Sequence, residues 1–202
     1  AYWAFKAFVV LSLPADDPFW SVVPQVPVRE PRVVQYQPSC IIQAGEKHSY
    51  MLSAQQYCSP SIEGHLSKYG KLCYSTAFGW NGSASGTGIG NFALDSALAL
   101  SVSGTDVYTS RGRIEAARVE ERSAYSVWSL GSIARVETWL VPIDEFRHAR
   151  IHHIESTLPL DTYEGGFPVF GWNRKFDREE LGDGAVKLSR DPDAPSGLAD
   201  NC

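Results

Sequence analysis

Methionine is almost absent from this chain: Met51 is the only one in 202 residues. Cysteine is scarce too. Cys40, Cys58, Cys73 and Cys202 stand far apart with no CxxC spacing, which excludes zinc-finger and dithiol redox motifs. Two disulfides at most could form, but single thiols buried in strands are the preferred reading. Long apolar runs are lacking. The opening "AYWAFKAFVVLSLP" sustains about a dozen residues, short of the ~20 that cross a bilayer, and "ADDPFW" follows where a signal peptide would need a small-residue cleavage site. Charge of one sign never accumulates. Eighteen basic and twenty-three acidic residues are interspersed for a net charge of −5, so neither a nucleic-acid nor a membrane-surface partner is expected. The stretch "SGTGIGN" at 85–91 lacks the strand–loop–helix context of a nucleotide-binding loop and reads as a hairpin tip. No Gly-x-Ser-x-Gly elbow occurs, no third ligand joins His148 and His152 in a metal set, and no cofactor is expected.

What is present describes a globular chain, 44% apolar and 12% aromatic, long enough to bury a core without staples. Tyr2, Trp3, Phe5, Phe8 and Val9 cover most of a helix circumference, which predicts a helix over 1–13 that packs on a neighbour, the last helix of an absent N-terminal helical domain. Residues 14–38 hold six prolines, a density that reads as an extended connector. From 39 to 171 short β-type runs recur between Gly, Ser, Asn and Asp. This rhythm predicts an all-β domain, an antiparallel sandwich or stacked sheets. In "ARVETWLVP" Val136, Thr138 and Leu140 fall on one face, as a half-buried strand requires. "EAARVEER" at 115–122 has helical propensity but is read as a strand, because its flanks look like hairpin context. Residues 172–202, charged and rich in Gly, Asp and Pro, are expected to be loosely ordered or foreign to the domain.

Several stretches together resemble the domain-of-unknown-function 2264 family of bacteria and fungi: "YWAFKAFVVLSLPADDPFW", "KYGKLCYSTAFGW", "LDSALALS", "RVETWLVP" and "ARIHHIESTLPLDTYEGGF". Their order is similar to the C-terminal part of such proteins over about residues 1–170. The resemblance implies an N-terminal α-toroid joined to a C-terminal β domain, as in heparinase II/III-type and alginate-lyase-type polysaccharide lyases. The toroid is then the expected partner within the same protein, and an acidic polysaccharide the expected ligand.

Uronide elimination needs a base, a group that neutralises the carboxylate, and an acid for the leaving oxygen. "HLSKYGKLCYS" supplies candidates for these roles: Tyr69, Lys71, His65 and Tyr74 for proton transfer, and Lys68 as a substrate contact. If the segment is extended, Tyr69 and Lys71 share one face, while Lys68 and Tyr74 share the other. A tyrosine must drop about three pKa units, roughly 4 kcal/mol, to act as a base at neutral pH. The segment is therefore a strand first, with packed aromatics and solvated lysines, and a catalytic wall only when another domain covers it. His148, Arg150 and His152 form a cationic strip along one β face, suited to a carboxylate or sulfate; the competing reading is a solvated outer face with acidic cross-strand partners. Arg111 could reach an acidic sugar or solvate a turn, and Asp95 reads as structural. Asn81-Gly82-Ser83 is a glycosylation sequon that has meaning only in a secreted chain. The function expected is one wall of a glycan cleft in a lyase-like, carbohydrate-active protein, inactive as an isolated domain. A glycoside hydrolase accessory domain and a non-catalytic structural or glycan-binding module are the alternatives.

Overall fold

The computed structural model of the chain describes residues 2–26, 28–57, 65–169, 177–182, 185–189 and 196–198. It is predominantly antiparallel β-structure, as the punctuated rhythm of the sequence requires. The opening helix is present but is of the tighter 3-10 type over Tyr2–Ser12. It is followed by one short turn of helix, α1 (Pro18–Ser21), whose N-terminus is capped by the Asp17 carboxylate accepting from the Phe19 amide at 2.9 Å. Several of its apolar side chains are open to solvent: Phe8 is 58% and Val9 70% exposed. The connector region ends inside the fold, because β1 (Arg32–Gln35) is already a sheet strand.

One layer of the molecule begins with β1, β2 (Cys40–Ala44), β3 (Ser49–Ser53) and β4 (Cys73–Ser75), paired in that order. Between β3 and β4 lies α2 (His65–Tyr69). A second sheet has the order β11-β5-β6, from β5 (Leu98–Val102), β6 (Thr109–Ser110) and β11 (Leu160–Glu164). Main-chain bonds carry the first sheet into the second: Ser53 N–H donates to Leu72 O (3.0 Å), Leu72 N–H to Ser96 O (2.8 Å) and Ser96 N–H to Gly166 O (2.9 Å). An isolated parallel bridge, Asp95 with Gly165, closes the same seam. Against these sheets packs a third with the order β10-β9-β8-β7, made of β7 (Ile114–Val119), β8 (Ala124–Leu130), β9 (Ala134–Pro142) and β10 (His148–Ser156). The 115–122 region is thus a strand and hairpin, and sheet pairing overrides its helical propensity.

The inner face of the third sheet explains where the core sits. Val136, Thr138 and Leu140 point inward as their alternation predicts, each essentially inaccessible. Leu140, Ala124 and Val119 pack on Ile41, Tyr50 and Leu52 of the first sheet. Val136 and Trp128 pack on Leu98 and Leu100 of the second. Between these two apolar clusters the cross-strand row is polar: His152 opposite Thr138, and Thr138 opposite Ser126. The two cores are therefore divided by a polar row on the sheet that serves both.

Beyond residue 170 the described segments form β12 (Asp177–Gly182), β13 (Ala185–Ser189) and β14 (Ser196–Leu198), a separate antiparallel sheet. Strand pairing here differs from the loose order expected of so polar a stretch. Alternating exposed ion pairs such as Lys187–Glu179 (3.0 Å) and Arg178–Glu180 (3.0 Å) decorate it. Cys40 and Cys73 are free, buried thiols in strands, while Cys58 and Cys202 lie outside the described residues. The "SGTGIGN" stretch belongs to the β4–β5 connection and contains a 3-10 turn at Ile89–Asn91, so it is not the tip of a hairpin.

Candidate functional site

"KYGKLCYS" does not run as one strand. His65–Tyr69 is helical, Gly70 to Leu72 cross between elements, and only Cys73–Ser75 pairs in the sheet. The shared faces expected of an extended segment are therefore absent. Lys71, expected to be solvated or catalytic, is 1% exposed. Its Nζ donates to Ala93 O at 2.7 Å and to Asp95 Oδ1 at 2.9 Å. Burial pulls this ammonium below its ordinary value, against the opposing pull of the Asp95 carboxylate. The second carboxylate oxygen of Asp95 accepts from the Asn81 amide at 3.2 Å, so the pair pins the loop that carries Trp80.

Tyr74 is likewise committed inward. Its hydroxyl donates to Lys68 O at 3.0 Å and accepts from the Lys71 amide at 3.3 Å. Burial pushes its phenol up to about 12, although the backbone bond and the nearby Arg111 pull the other way. That is the wrong direction for a group meant to accept a proton near neutral pH. His65 opens α2, and its side chain lies outside the described residues.

Lys68 and Tyr69 remain half-buried at the end of α2. The Lys68 ammonium stands 5.0 Å from the centre of the Tyr69 ring and 5.5 Å from that of Trp80, which is 47% exposed. Cation–π attraction holds such a cluster together. It offers a ligand one positive charge beside two flat apolar faces. Trp80 was not among the residues singled out from sequence, since it lies twelve positions from Lys68 in a loop with no local pattern. Its signal was the rarity of a loop tryptophan flanked by Gly79 and Asn81.

The strip of His148, Arg150 and His152 is neither a solvated face nor an open anion site. Register places these residues opposite Pro142, Leu140 and Thr138, on the inward side. Arg150 Nη1 meets Glu164 of the facing sheet at 3.0 Å and donates to Gly165 O at 3.0 Å. His152 is held by Thr138 at 2.9 Å and by Glu164 at 3.3 Å. Burial, then repulsion from Arg150, draws the His148 imidazole down to about 3. Burial works to raise the Glu164 carboxyl, but the His152 hydrogen bond and the Arg150 and histidine charges win and hold it below its ordinary value. The anion that this strip was expected to capture from a ligand is supplied by the protein itself. Ile151, on the opposite side, is 55% exposed.

Arg111 is a second buried cation, 2% exposed, but its partners are carbonyls. Nη1 donates to Ser53 O at 2.6 Å and Nη2 to Lys71 O at 2.9 Å. Burial lowers it to about 10. It neither reaches a sugar nor solvates a turn; it ties β3 to the Lys71 crossing. Sequence reasoning also missed a half-buried Ser–His contact, His48 Nε2 to Ser75 Oγ at 2.8 Å. Ser75 Oγ accepts from the Ala77 and Phe78 amides, both at 3.0 Å. The two amide donors occupy the lone pairs of Ser75 Oγ and fix it as the acceptor of a local turn, with the His48 ring beside it. His48 Nδ1 then donates to Glu145 O at 3.1 Å, and the pair serves as a structural clasp. Among the described residues no three His, Cys, Asp or Glu side chains converge as a metal site.

The comparisons with known proteins now bear on this geometry. No curated protein and no solved structure matches the chain. The family model described as the DUF2264 C-terminal domain matches residues 30–197. The match includes the polar segment after 171, which is therefore not foreign to the domain. Spanning most of the sequence, it decides the family: this chain belongs to the DUF2264 C-terminal domain family.

Proposed function

We propose that this chain is the β domain of a carbohydrate-active, polysaccharide-lyase-like protein and forms one wall of a cleft for an acidic glycan. The observation that carries the reading is the Lys68 ammonium poised beside the Tyr69 and Trp80 rings at the surface. Aromatic faces stack on the C–H faces of sugar rings, and a lysine among them supplies the counter-charge for a uronate or sulfate. In an elimination, Lys68 would neutralise the carboxylate as the proton beside it is removed. Tyr69, or His65 on the same helix, would take that proton and return it to the leaving oxygen as the C–O bond breaks. Lys71 and Tyr74 act from beneath by fixing the crossing and the Trp80 loop. The partner that completes the cleft is a helical domain of the same protein, covering the exposed Phe5, Phe8, Val9 and Leu11.

The chain by itself is expected to bind an acidic oligosaccharide without cutting it. Joined to its helical domain, it is expected to release products with the new ultraviolet absorbance of an unsaturated uronide. A panel of acidic polysaccharides that yields neither binding nor absorbance would sink the proposal. A second reading, a glycan-binding module with no catalytic role, is favoured by the internal bonds that occupy Lys71, Tyr74, Arg150 and His152. Unchanged turnover in a Tyr69→Phe variant of the joined protein would select that module over the lyase wall.

A further inference from the structure

A second recess lies on the outer face of the first sheet and has an unusual lining. It is a cleft of about 420 Å3, within the roughly 300–1,000 Å3 typical of small-ligand sites. Its floor is the cross-strand row Gln35, Cys40 and Ser53, with Met51 beside it. Gln37 and Pro38 of the β1–β2 turn form one wall, and Gln55, Gln56 and Tyr57 after β3 form the other. Four glutamines thus converge on one recess, and among the described residues no charged side chain lines it.

Two of the amides are oriented by the fold. Cys40 Sγ–H donates to Gln35 Oε1 at 3.3 Å, and Ser39 Oγ–H points to Gln55 Oε1 at 3.0 Å, with Tyr36 O a longer second acceptor at 3.4 Å. With each carbonyl oxygen occupied, each amide nitrogen is left to present its two N–H donors, and among the described residues no acceptor meets either one. Ser39 is buried and adopts a left-handed backbone with φ 49°, a conformation costly for a serine and common where a side chain must be aimed. From behind, Arg111 holds the 53–56 segment through the Ser53 and Ala54 carbonyls at 2.6 and 3.3 Å. The donors are therefore set on a rigid support, as a binding site requires.

We propose that this cleft binds a neutral oligosaccharide. Fixed amide donors match the hydroxyl and ring oxygens of a sugar, while Tyr57, Pro38 and Met51 supply apolar surface for its C–H faces. An anionic ligand would find no counter-charge here, and burying one unpaired is costly. An extended peptide would seek main-chain groups along a strand edge, whereas this recess opens over a sheet face and offers side chains. The site is separate from the Lys68 cluster and does not depend on the lyase reading.

The test is a titration of the protein with maltotriose, cellotriose, xylotriose and mannotriose, with trigalacturonate as the charged control and a polyalanine-based peptide as the extended-chain control. Binding to the parent is followed by the side-chain amide resonances of Gln35 and Gln55, and the affinities of parent and variants are compared by calorimetry. At least one neutral trisaccharide should shift both, with an affinity that salt leaves unchanged. Gln35→Ala/Gln55→Ala should weaken that affinity at least about tenfold without moving the Tm, since both side chains are on the surface. Gln37→Ala gives an independent check from the turn. Lys68→Ala should leave neutral binding intact even if it abolishes trigalacturonate binding, so that failure of one site is distinguishable from failure of the other. No shift with any neutral sugar at millimolar concentration, equal neutral-sugar binding by the double variant, or larger shifts of the Gln35 and Gln55 amides with trigalacturonate or the peptide than with the neutral sugars would overturn the proposal.

Discussion

At Lys71 the distinction between a catalytic and a structural lysine turns on what its ammonium touches. Both contacts are internal, and the carboxylate of Asp95 is also buried, though a little less so than the lysine. Lys71→Met would strand Asp95 in a low-dielectric seam, at a cost of about 3–5 kcal/mol in urea unfolding. Adding Asp95→Asn should recover part of that loss, because the uncompensated charge is then gone. A loss below about 1 kcal/mol in the single variant would mean that the pair is solvated. His148 gives a prediction in pH. Its folded value of about 3 lies under the ordinary 6.5, so between those values the unfolded chain holds more protons than the native one. Stability then rises with pH across the window and is lost as pH falls from 6.5 towards 3. Glu164, held below 4.5, contributes stability that is present above its ordinary value and lost on further acidification. The Tm of His148→Gln should therefore fall less steeply over this range than that of the parent. Parallel profiles would contradict the assignment.

Strand β10 is the element that sequence patterning inverts. Apolar residues normally mark the buried face of a strand, and Ala149 and Ile151 would have been assigned to it. The neighbouring β9, whose Val136, Thr138 and Leu140 were legible from alternation alone, shows why that rule works when the facing surface is apolar. For β10 the facing surface carries Glu164, and a half-buried carboxylate draws cations to its side. That partner is on another sheet, so no local window of sequence contains the information. Ile151→Thr should accordingly change stability by no more than about 0.5 kcal/mol. Arg150→Met should cost about 2–3 kcal/mol, toward the low end of buried pairs because Glu164 is partly solvated and keeps His152. Urea unfolding of the two variants gives a direct comparison, and a larger effect at Ile151 would reverse the assignment of faces. The "KYGKLCYS" segment failed in a related way: a helix ending at Tyr69 and a crossing at Gly70 break the alternation on which shared faces depended.

Across the whole molecule, the β class, the hairpin at 115–122 and the buried thiols were readable because each depends on short-range pattern. The seam between the first two sheets was not, since it is made from Ser53, Leu72, Ser96 and Gly166, which are distant in sequence and joined by backbone bonds that carry no composition signal. The same holds for Trp80 beside Lys68. For the glutamine cleft a weak trace existed in "VVQYQP" and "SAQQYC", two Gln/Tyr-rich stretches that strand pairing brings to one rim. The apolar N-terminal segment takes part in no core among the described residues. Phe8→Ser/Val9→Ser should therefore leave the unfolding free energy within about 0.5 kcal/mol of the parent, and a larger loss would show that these side chains pack on this domain.

The Lys68–Tyr69–Trp80 cluster is the proposed contact for acidic glycan, and the indole N–H resonance of Trp80 reports on it most directly. Titration with trigalacturonate should shift that resonance saturably, more weakly as salt is raised, and Lys68→Ala should reduce the affinity while leaving the Tm unchanged. A Trp80 signal that stays still throughout the titration, or one that shifts equally in Lys68→Ala, would contradict the account.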